Sequence, residues 1–409
     1  MDAWLVTGRH GSTRSVPIDM QRTRKAFMMI SRRRFSALSA ALTLPALAGK
    51  ASAQGATIKI GMCAPVTGPA AEQGRYAQAG ARLALDAVNK AGGVLGKQVE
   101  LIVEDDQTTN PGVVLAFSKL ASQPDIVAFL GSIRSTQVHA MAPDVLKVGK
   151  PVMIGGTDPT LTHMGNPWLF RFRPNDSYSG SVIANYGVQT LGKKKWAIVH
   201  STDAFGTAGG KALTAGLAKL PGATVALDQG YANQSQDFTP VVLAIKQSGA
   251  DILGSYFTFE NDLGVFARQL RQLGVTIPWV GSPSIVNVSA LKLAGPALYG
   301  TFGVADYAED SSPAAKAYGK AYRAASGGVA PDNQSSWTYD AITILCMAIN
   351  KAGKTDPQAI REAILAIRNH QGAEGEYNFD ANGDGLHGYN IVKNEKGTIV
   401  FDKHVETAT

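Results

Sequence analysis

From Thr57 onward, short runs rich in aliphatic and β-branched residues alternate with longer amphipathic stretches, and the pattern runs through twice. Alternation of this kind demands parallel strands with helices on both faces, because neighbouring parallel strands can be joined only by a long crossover. Thr57–Ala64 reads as a strand buried on both faces, and Tyr76–Lys90 as a helix with Ala77, Ala81, Ala84, Leu85 and Val88 on one stripe. Gly92-Gly93 stops that helix, since glycine reaches the left-handed conformation a helix end needs. The spacing then predicts strand 99–104, helix 113–122 opened by Asn110-Pro111, strand 126–130, helix 136–148 and strand 152–154. After Asp176 the series restarts with helix 180–191, strand 196–200, helix 206–220, strand 224–227, helix 239–247, strand 251–256, helix 261–273 and strand 279–281.

The last third starts no new domain. Helices are predicted over 314–325, 336–352 and 357–366, and hairpin-like strands over 376–379, 389–392 and 397–401. The fold expected is α/β: two doubly wound parallel-sheet lobes with a cleft between them. The first lobe comprises residues 57–173 plus 306–374, the second 176–304 plus 376–409.

Ahead of this pattern lies a different kind of segment. Ser31-Arg32-Arg33-Arg34-Phe35 precedes an uncharged run from Ala37 to Gly49, then Lys50 and a small-residue cut at Ala51-Ser52-Ala53. The apolar run is too short for a bilayer span, which needs ~20 residues. A basic end, a short apolar middle and a small-x-small site make a secretory signal, and the paired arginines resemble the twin-arginine type. Residues 1–27 are expected to be an upstream extension, with Met28 or Met29 the natural start.

The leader also accounts for the charge. The chain carries 39 Lys+Arg against 32 Asp+Glu, a net +7, which suggests a polyanionic partner. Residues 1–53 hold nine of the basic and two of the acidic residues, so 30 of each remain in the expected mature chain. With no net charge there, nucleic acid is not expected as a partner. Two distant cysteines, Cys63 and Cys346, make no disulfide scaffold or thiolate zinc site, and both are expected to be free thiols.

Signals for enzymatic chemistry fail on inspection. Gly206–Lys211 lacks the first glycine and the Ser/Thr of a phosphate loop, Phe205 and Ala212 standing there instead. Asp380, Asn382, Asp384 and Gly385 match half of a calcium loop, but Ile391 stands where its bidentate Glu belongs. His200, Ser201 and Asp203 are too close in sequence for a hydrolase triad, and no dinucleotide fingerprint follows the first strand. No cofactor, metal site or catalytic set is expected.

What remains are polar, glycine-bearing loops at the carboxyl ends of strands, where open α/β sheets bind ligands. In the first lobe they are 67–75, 131–136 and 155–158; in the second, 202–206, 256–260 and 281–284. Ser135, Thr136 and Thr157 offer hydroxyls beside a helix start that suits a carboxylate, and Arg134 adds a cation. Phe205, Tyr256, Phe259 and Trp279 are expected to supply apolar walls from the opposite lobe.

These residues, taken in order, resemble the periplasmic substrate-binding proteins of branched-chain amino acid (Leu/Ile/Val-type) ABC transporters, of the type I periplasmic binding protein fold. The carrying stretches are Ile58-Lys59-Ile60-Gly61 leading to 67–74, Ala91–Gly96, Asp105-Asp106, the loop after Gly131, Phe170-Arg171, Asp203–Gly206, Asn287-Val288-Ser289 and the 379–384 hairpin. The resemblance implies lobes joined by three crossovers, hinged closure over one small ligand, and docking of the loaded monomer on an inner-membrane permease. Ser135 and Thr157 match the hydroxyls that hold the ligand carboxylate, and Phe205 and Phe259 the aromatics of the second lobe. Gly156 belongs to the same first-lobe loop. Gln73 and Phe259 stand where a Tyr is frequent. After Gly281 comes Ser282 rather than the acid that pairs with an amino-acid ammonium. Asp158 and Glu260 are the acids that could replace it, and without one the expected ligand is a simple carboxylate. Hinges are expected at Pro174-Asn175 and 303–306. The second functional class is a ligand-sensing protein of the same fold, responsive to an amide or amino acid.

Overall fold

The computed structural model describes residues 57–407; the expected signal and extension lie outside them. The first sheet is built from β1 (Ile58–Ala64), α1 (Ala71–Lys90), β2 (Val99–Asp105), α2 (Asn110–Ala121), β3 (Ile126–Leu130), α3 (Ser135–Val148), β4 (Val152–Ile154) and β5 (Leu169–Arg171). Its order is β2-β1-β3-β4-β5, every pair parallel. Alternation along β1 divides its side chains between two cores. Ile58, Ile60 and Met62 pack beneath α1, whereas Cys63 joins the core formed with α2 and α3 around Phe117, Phe129, Val138 and Met141.

The chain then enters a second sheet through α4 (Asp176–Asn185), whose last turn widens over Tyr186–Thr190. It continues with β6 (Lys195–Ser201), α5 (Ala204–Ala218), β7 (Thr224–Tyr231), α6 (Thr239–Ser248), β8 (Ile252–Tyr256), α7 (Glu260–Gln272), β9 (Trp279–Gly281), α8 (Val288–Ala294) and β10 (Phe302–Ala305). Here Ala197 and Val199 of β6 face α6 and α7, while Trp196 and Ile198 face α4 and α5.

A second crossing returns the chain to the first sheet. α9 (Pro313–Ala325) is followed by α10 (Asn333–Ala352), which joins α1 in the first core through Trp337, Ala341 and Leu345, and by α11 (Pro357–Leu365). A Cβ at Gly80 of α1 would lie 1.9 Å from the Ser335 carbonyl oxygen, so only glycine permits this approach. The two-residue strands β11 (His370–Gln371) and β12 (Glu376–Tyr377) precede a third crossing to β13 (Gly388–Glu395) and β14 (Thr398–Glu406). The second sheet is therefore β14-β13-β10-β9-β8-β6-β7, parallel from β10 to β7 and antiparallel at β13 and β14.

Several boundaries differ from expectation for local reasons. α10 begins three residues before the predicted 336 because Asp332 and Ser335 form a capping box. Asn175 caps α4 at Asp176 rather than 180, its side chain accepting from Ser177 N at 3.0 Å. β5, β10, β11 and α8 fall outside the predicted elements. β5 is three residues long, and its last, Arg171, is a fully buried cation that reads locally as loop.

That arginine ties the crossings together. Arg171 reaches from the first crossing to Asp384 in the third (Nε to Oδ1, 2.8 Å), and Arg173 reaches Asp306 in the second (2.7 Å). Tyr389 donates to the Pro174 carbonyl oxygen at 2.8 Å, and Asn390 to that of Asp306 at 2.8 Å. The 380–385 stretch is a turn closed by Asp380, which accepts from the Asn382 and Asp384 amides, and Asp384 is committed to Arg171. Cys63 and Cys346 are buried free thiols, their pKa values pushed up by burial.

Removing one partner of a buried ion pair strands the other charge, at a cost of about 3–5 kcal/mol. Arg171→Met should lower the unfolding free energy by that amount in urea denaturation. Arg171→Met with Asp384→Leu should recover a large part of the loss.

Candidate ligand cleft between the lobes

Each sheet has a point where strand order reverses, between β1 and β3 in the first and between β6 and β8 in the second. Loops leaving adjacent strands part there and open a crevice. The loop after β3 ends at Arg134, that after β6 at Asp203, and that after β8 at Phe259, so both crevices contribute to one cleft.

On the first-lobe side the cavity is lined by Gln73, Arg134, Ser135, Thr136 and Thr157. Ser135 opens α3, a helix that no side chain caps, and its hydroxyl oxygen accepts from the Thr157 and Asp158 amides, each at 3.1 Å. With its oxygen so occupied, the Ser135 proton is free to donate. Thr157, also buried, donates to Asp176 Oδ2 at 2.8 Å. Arg134 caps the stack: its guanidinium carbon sits 4.2 Å from the centre of the Phe259 ring, and a terminal nitrogen lies 3.9 Å from Asp203. Burial presses the Arg134 pKa down, opposed by the negative charges of Asp203, Glu260 and Asp106. An arginine nonetheless stays charged.

The second lobe contributes Asp203, Phe205, Phe257, Thr258, Ser284 and Asn287. Asp203 is already engaged: it accepts from Ser201 (2.9 Å), the Gly206 amide (2.9 Å) and Asn233 (2.8 Å). Although burial opposes ionisation, these bonds and Arg134 together hold its carboxyl below the usual range. Glu260 accepts from Gln73 across the cleft at 2.7 Å and from Asn287 at 3.1 Å. A third bridge runs from the Ala204 amide to Thr136 Oγ1 at 3.3 Å. The lobes are thus closed on one another, around a cavity of about 50 Å3. An apolar cavity of ~150 Å3 takes benzene. A ligand of more than a few heavy atoms therefore needs the lobes to part and close again around it.

The fate of the sequence-predicted residues divides cleanly. Gln73, Arg134, Ser135, Thr136, Thr157 and Phe205 line the cavity, while Phe259 and Glu260 form its next layer, one beneath Arg134 and the other behind Gln73. Gly156 packs on Leu161 and the start of α3, where a Cβ would lie 2.8 Å from Leu161 Cδ1. Asp158 turns away, accepting from Thr160 and pairing with His139 at 2.7 Å, so it is not a candidate partner for a ligand ammonium. Ser282 is buried against Ser284, and Ser284 takes its place in the wall. Trp279 is no wall either: it is buried edge-on against Phe266, its indole donating to Ser255 at 2.7 Å. Tyr256 is wholly buried behind Phe205.

Sequence reasoning missed Arg173, Asn287, Asn333 and Gln334 as lining residues. The last two arrive through the early start of α10, and the Asp332–Ser335 capping pair is the signal that could have placed them.

The bridge between Gln73 and Glu260 generates a measurable consequence. Gln73→Ala removes the cross-cleft hydrogen bond to Glu260 and the longer one to the Thr258 carbonyl oxygen, such bonds being worth about 0.5–1.5 kcal/mol net and more when one partner is charged. The closed-to-open ratio should fall by about tenfold, read as an increased radius of gyration in small-angle X-ray scattering.

A family model described as periplasmic binding protein matches residues 57–398. The leucine-, isoleucine-, valine-, threonine- and alanine-binding protein of Pseudomonas aeruginosa is 28% identical over 360 residues, covering 86% of this chain and 93% of that one. A leucine binding protein from Thermotoga maritima superposes with a TM-score of 0.80 at 24% identity, covering 86% of this chain and 99% of that one. A solute binding protein of an ABC transporter from R. palustris, crystallised with benzoate, does so with a TM-score of 0.75 at 20% identity, covering 87% and 98%. Two parallel-sheet lobes joined by three crossings, with a polar cleft at their switch points, are the architecture of a type I binding protein. This chain belongs to the periplasmic binding protein family.

Proposed function

We propose that this protein is the exported substrate-binding component of an ABC importer and that it captures a small carboxylate between its lobes by hinged closure. The observation that carries the ligand class is Arg134. Its guanidinium lies in the cleft wall, makes no hydrogen bond to the described residues, and has Asp203, at 3.9 Å, as its one ion-pair contact among them. A desolvated guanidinium with open donors is a carboxylate receptor, and Ser135 and the first-turn amides of α3 supply further donors beside it. An ammonium finds no such welcome. Asp203 already accepts three hydrogen bonds, Glu260 accepts from Gln73 and Asn287 through Oε1, and Asp158 points elsewhere. The relatives named for amino acids make those the sharpest competitors.

Export directed by residues up to Ala53, a permease partner and a monomeric state complete the reading. Binding and closure need no catalytic group, and the protein acts without turnover of its ligand. The mature exported chain should begin at Gln54 on N-terminal sequencing.

Ligand that binds only the folded state raises the melting temperature in proportion to its concentration over Kd. In a thermal-shift panel of aliphatic acids, aromatic acids such as benzoate, and L-amino acids, simple carboxylates should stabilise the protein. Stabilisation by leucine and by no simple acid would overturn the ligand class. Arg134→Met should weaken the best carboxylate by about 10- to 100-fold, since hydrogen bonds to charged groups contribute about 1.5–3 kcal/mol.

A further inference from the structure

We propose that Asp176, shielded from the cleft by Thr157, decides which way the Thr157 hydroxyl points and so couples carboxylate binding to the uptake of one proton. The inference rests on the carboxylate reading of the site. Asp176 is the first residue of α4 and is wholly buried. Two hydrogen bonds lock it to Thr157: the side-chain bond to Oδ2 at 2.8 Å, and one from the Asp176 amide to the Thr157 carbonyl oxygen, also 2.8 Å. Its other carboxylate oxygen meets only the Ser179 hydroxyl, at 3.4 Å, and that hydroxyl also bonds the Asp176 carbonyl oxygen at 3.0 Å.

The charged and titratable groups that face Asp176 do not neutralise it. Arg171 and Arg173 approach from β5 and the first crossing, but Arg171 is bonded to Asp384 and Arg173 to Asp306. Asp158 faces it from the loop after β4, Tyr256 from β8 and Tyr389 from β13. Among the described residues no cation lies within ion-pair distance of it. A buried carboxylate with one short hydrogen bond and no paired cation favours its neutral form. Burial pushes the Asp176 pKa up to about 7, against the pull of Thr157 and the two arginines.

Two arrangements follow. With Asp176 ionised, the Thr157 proton is committed to it, and the Thr157 oxygen offers the cavity only lone pairs. A ligand carboxylate then meets acceptor against acceptor. With Asp176 protonated, its Oδ2–H donates to Thr157 Oγ1, and the Thr157 proton turns to the ligand. Solvent supplies the proton; one O–H bond forms at Asp176 and no other covalent bond changes. The bound anion thus raises the Asp176 pKa further. The sign is therefore fixed: affinity is full below about pH 6 and falls as pH rises through the free protein's Asp176 pKa. The loss is roughly tenfold between pH 6 and 8, while a ligand carboxyl with a pKa of about 4 stays ionised throughout.

Asp332, pushed up to about 7, and Asp262, raised to about 6, also titrate near the cleft, so the test must isolate Asp176. Titration calorimetry with benzoate, or with whichever panel acid stabilises most, is run at pH 6, 7 and 8 in two buffers of different ionisation enthalpy. Wild type should lose about tenfold in affinity across the range and take up close to one proton on binding at pH 8. Asp176→Asn, whose amide donates to Thr157 as the protonated acid would, should bind at pH 8 as wild type does at pH 6, with a flat profile. Thr157→Ser should keep the slope, and Thr157→Val should bind weakly with none. Should Asp176→Asn fail to fold, the threonine pair decides. A flat wild-type profile without proton uptake overturns the inference, as does a slope that survives in Asp176→Asn or Thr157→Val. Binding that stays flat leaves the carboxylate reading standing; an absence of binding by any acid at any of the three pH values removes both.

Discussion

Two buried guanidinium–carboxylate pairs hold this molecule in its shape. Arg171–Asp384 and Arg173–Asp306 join the first crossing to the third and to the second, at the place where the chain passes three times between two otherwise separate sheets. A buried pair of this sort adds little net stability over an apolar contact, because desolvation consumes the Coulombic gain. What it adds here is position. The fork of Arg171 also donates to the Asp158 carbonyl oxygen and to Thr162, so the loop carrying Thr157 and Asp158 is set by the same side chain that sets the third crossing. Asp176 lies in the same region, where charge is abundant but already paired.

From that anchor the cleft follows. Parallel order places the carboxyl ends of β1, β3 and β4 opposite those of β6, β8 and β9, and each sheet opens at its switch point. The polar contacts across this gap include Gln73 to Glu260 and the Thr258 carbonyl oxygen, Ala204 to Thr136, and Arg134 to Asp203 and the Phe259 ring. Bonds of this kind exchange readily with water, so the closed state is reversible without disturbing either core. Arg134 belongs to both demands, since it touches the opposite lobe and lines the cavity.

Much of this was readable in order along the chain. Strands 126–130, 152–154 and 279–281 fall where the hydrophobic runs put them, because a strand buried on both faces is a short continuous apolar run. Ser135, Thr136 and Thr157, which line the cavity, were legible as candidates because hydroxyls at strand ends and helix starts have a local signature. Trp279 was misread for the converse reason: an aromatic beside a site loop has the same local sequence whether its ring faces the cleft or the core. Only the packing of Phe257 and Phe266 turned it inward. Asp158 and Ser282 failed similarly, as the direction of a loop side chain depends on partners far away in sequence.

The sequence alone determined the alternation of strand and helix, the division into two lobes' worth of elements, and the polar loops between them, since periodicity and turn chemistry are local properties. Tertiary structure decided which of those loops share one cavity. It also decided that Asn333 and Gln334 reach that cavity from a distant helix, and that Arg134 stands there with open donors while Asp203 accepts three hydrogen bonds and Glu260 two. Those outcomes depend on side chains from separate elements meeting, Gln73 and Glu260 across 187 residues and Arg134 and Asp203 across 69, and no local pattern encodes such a meeting.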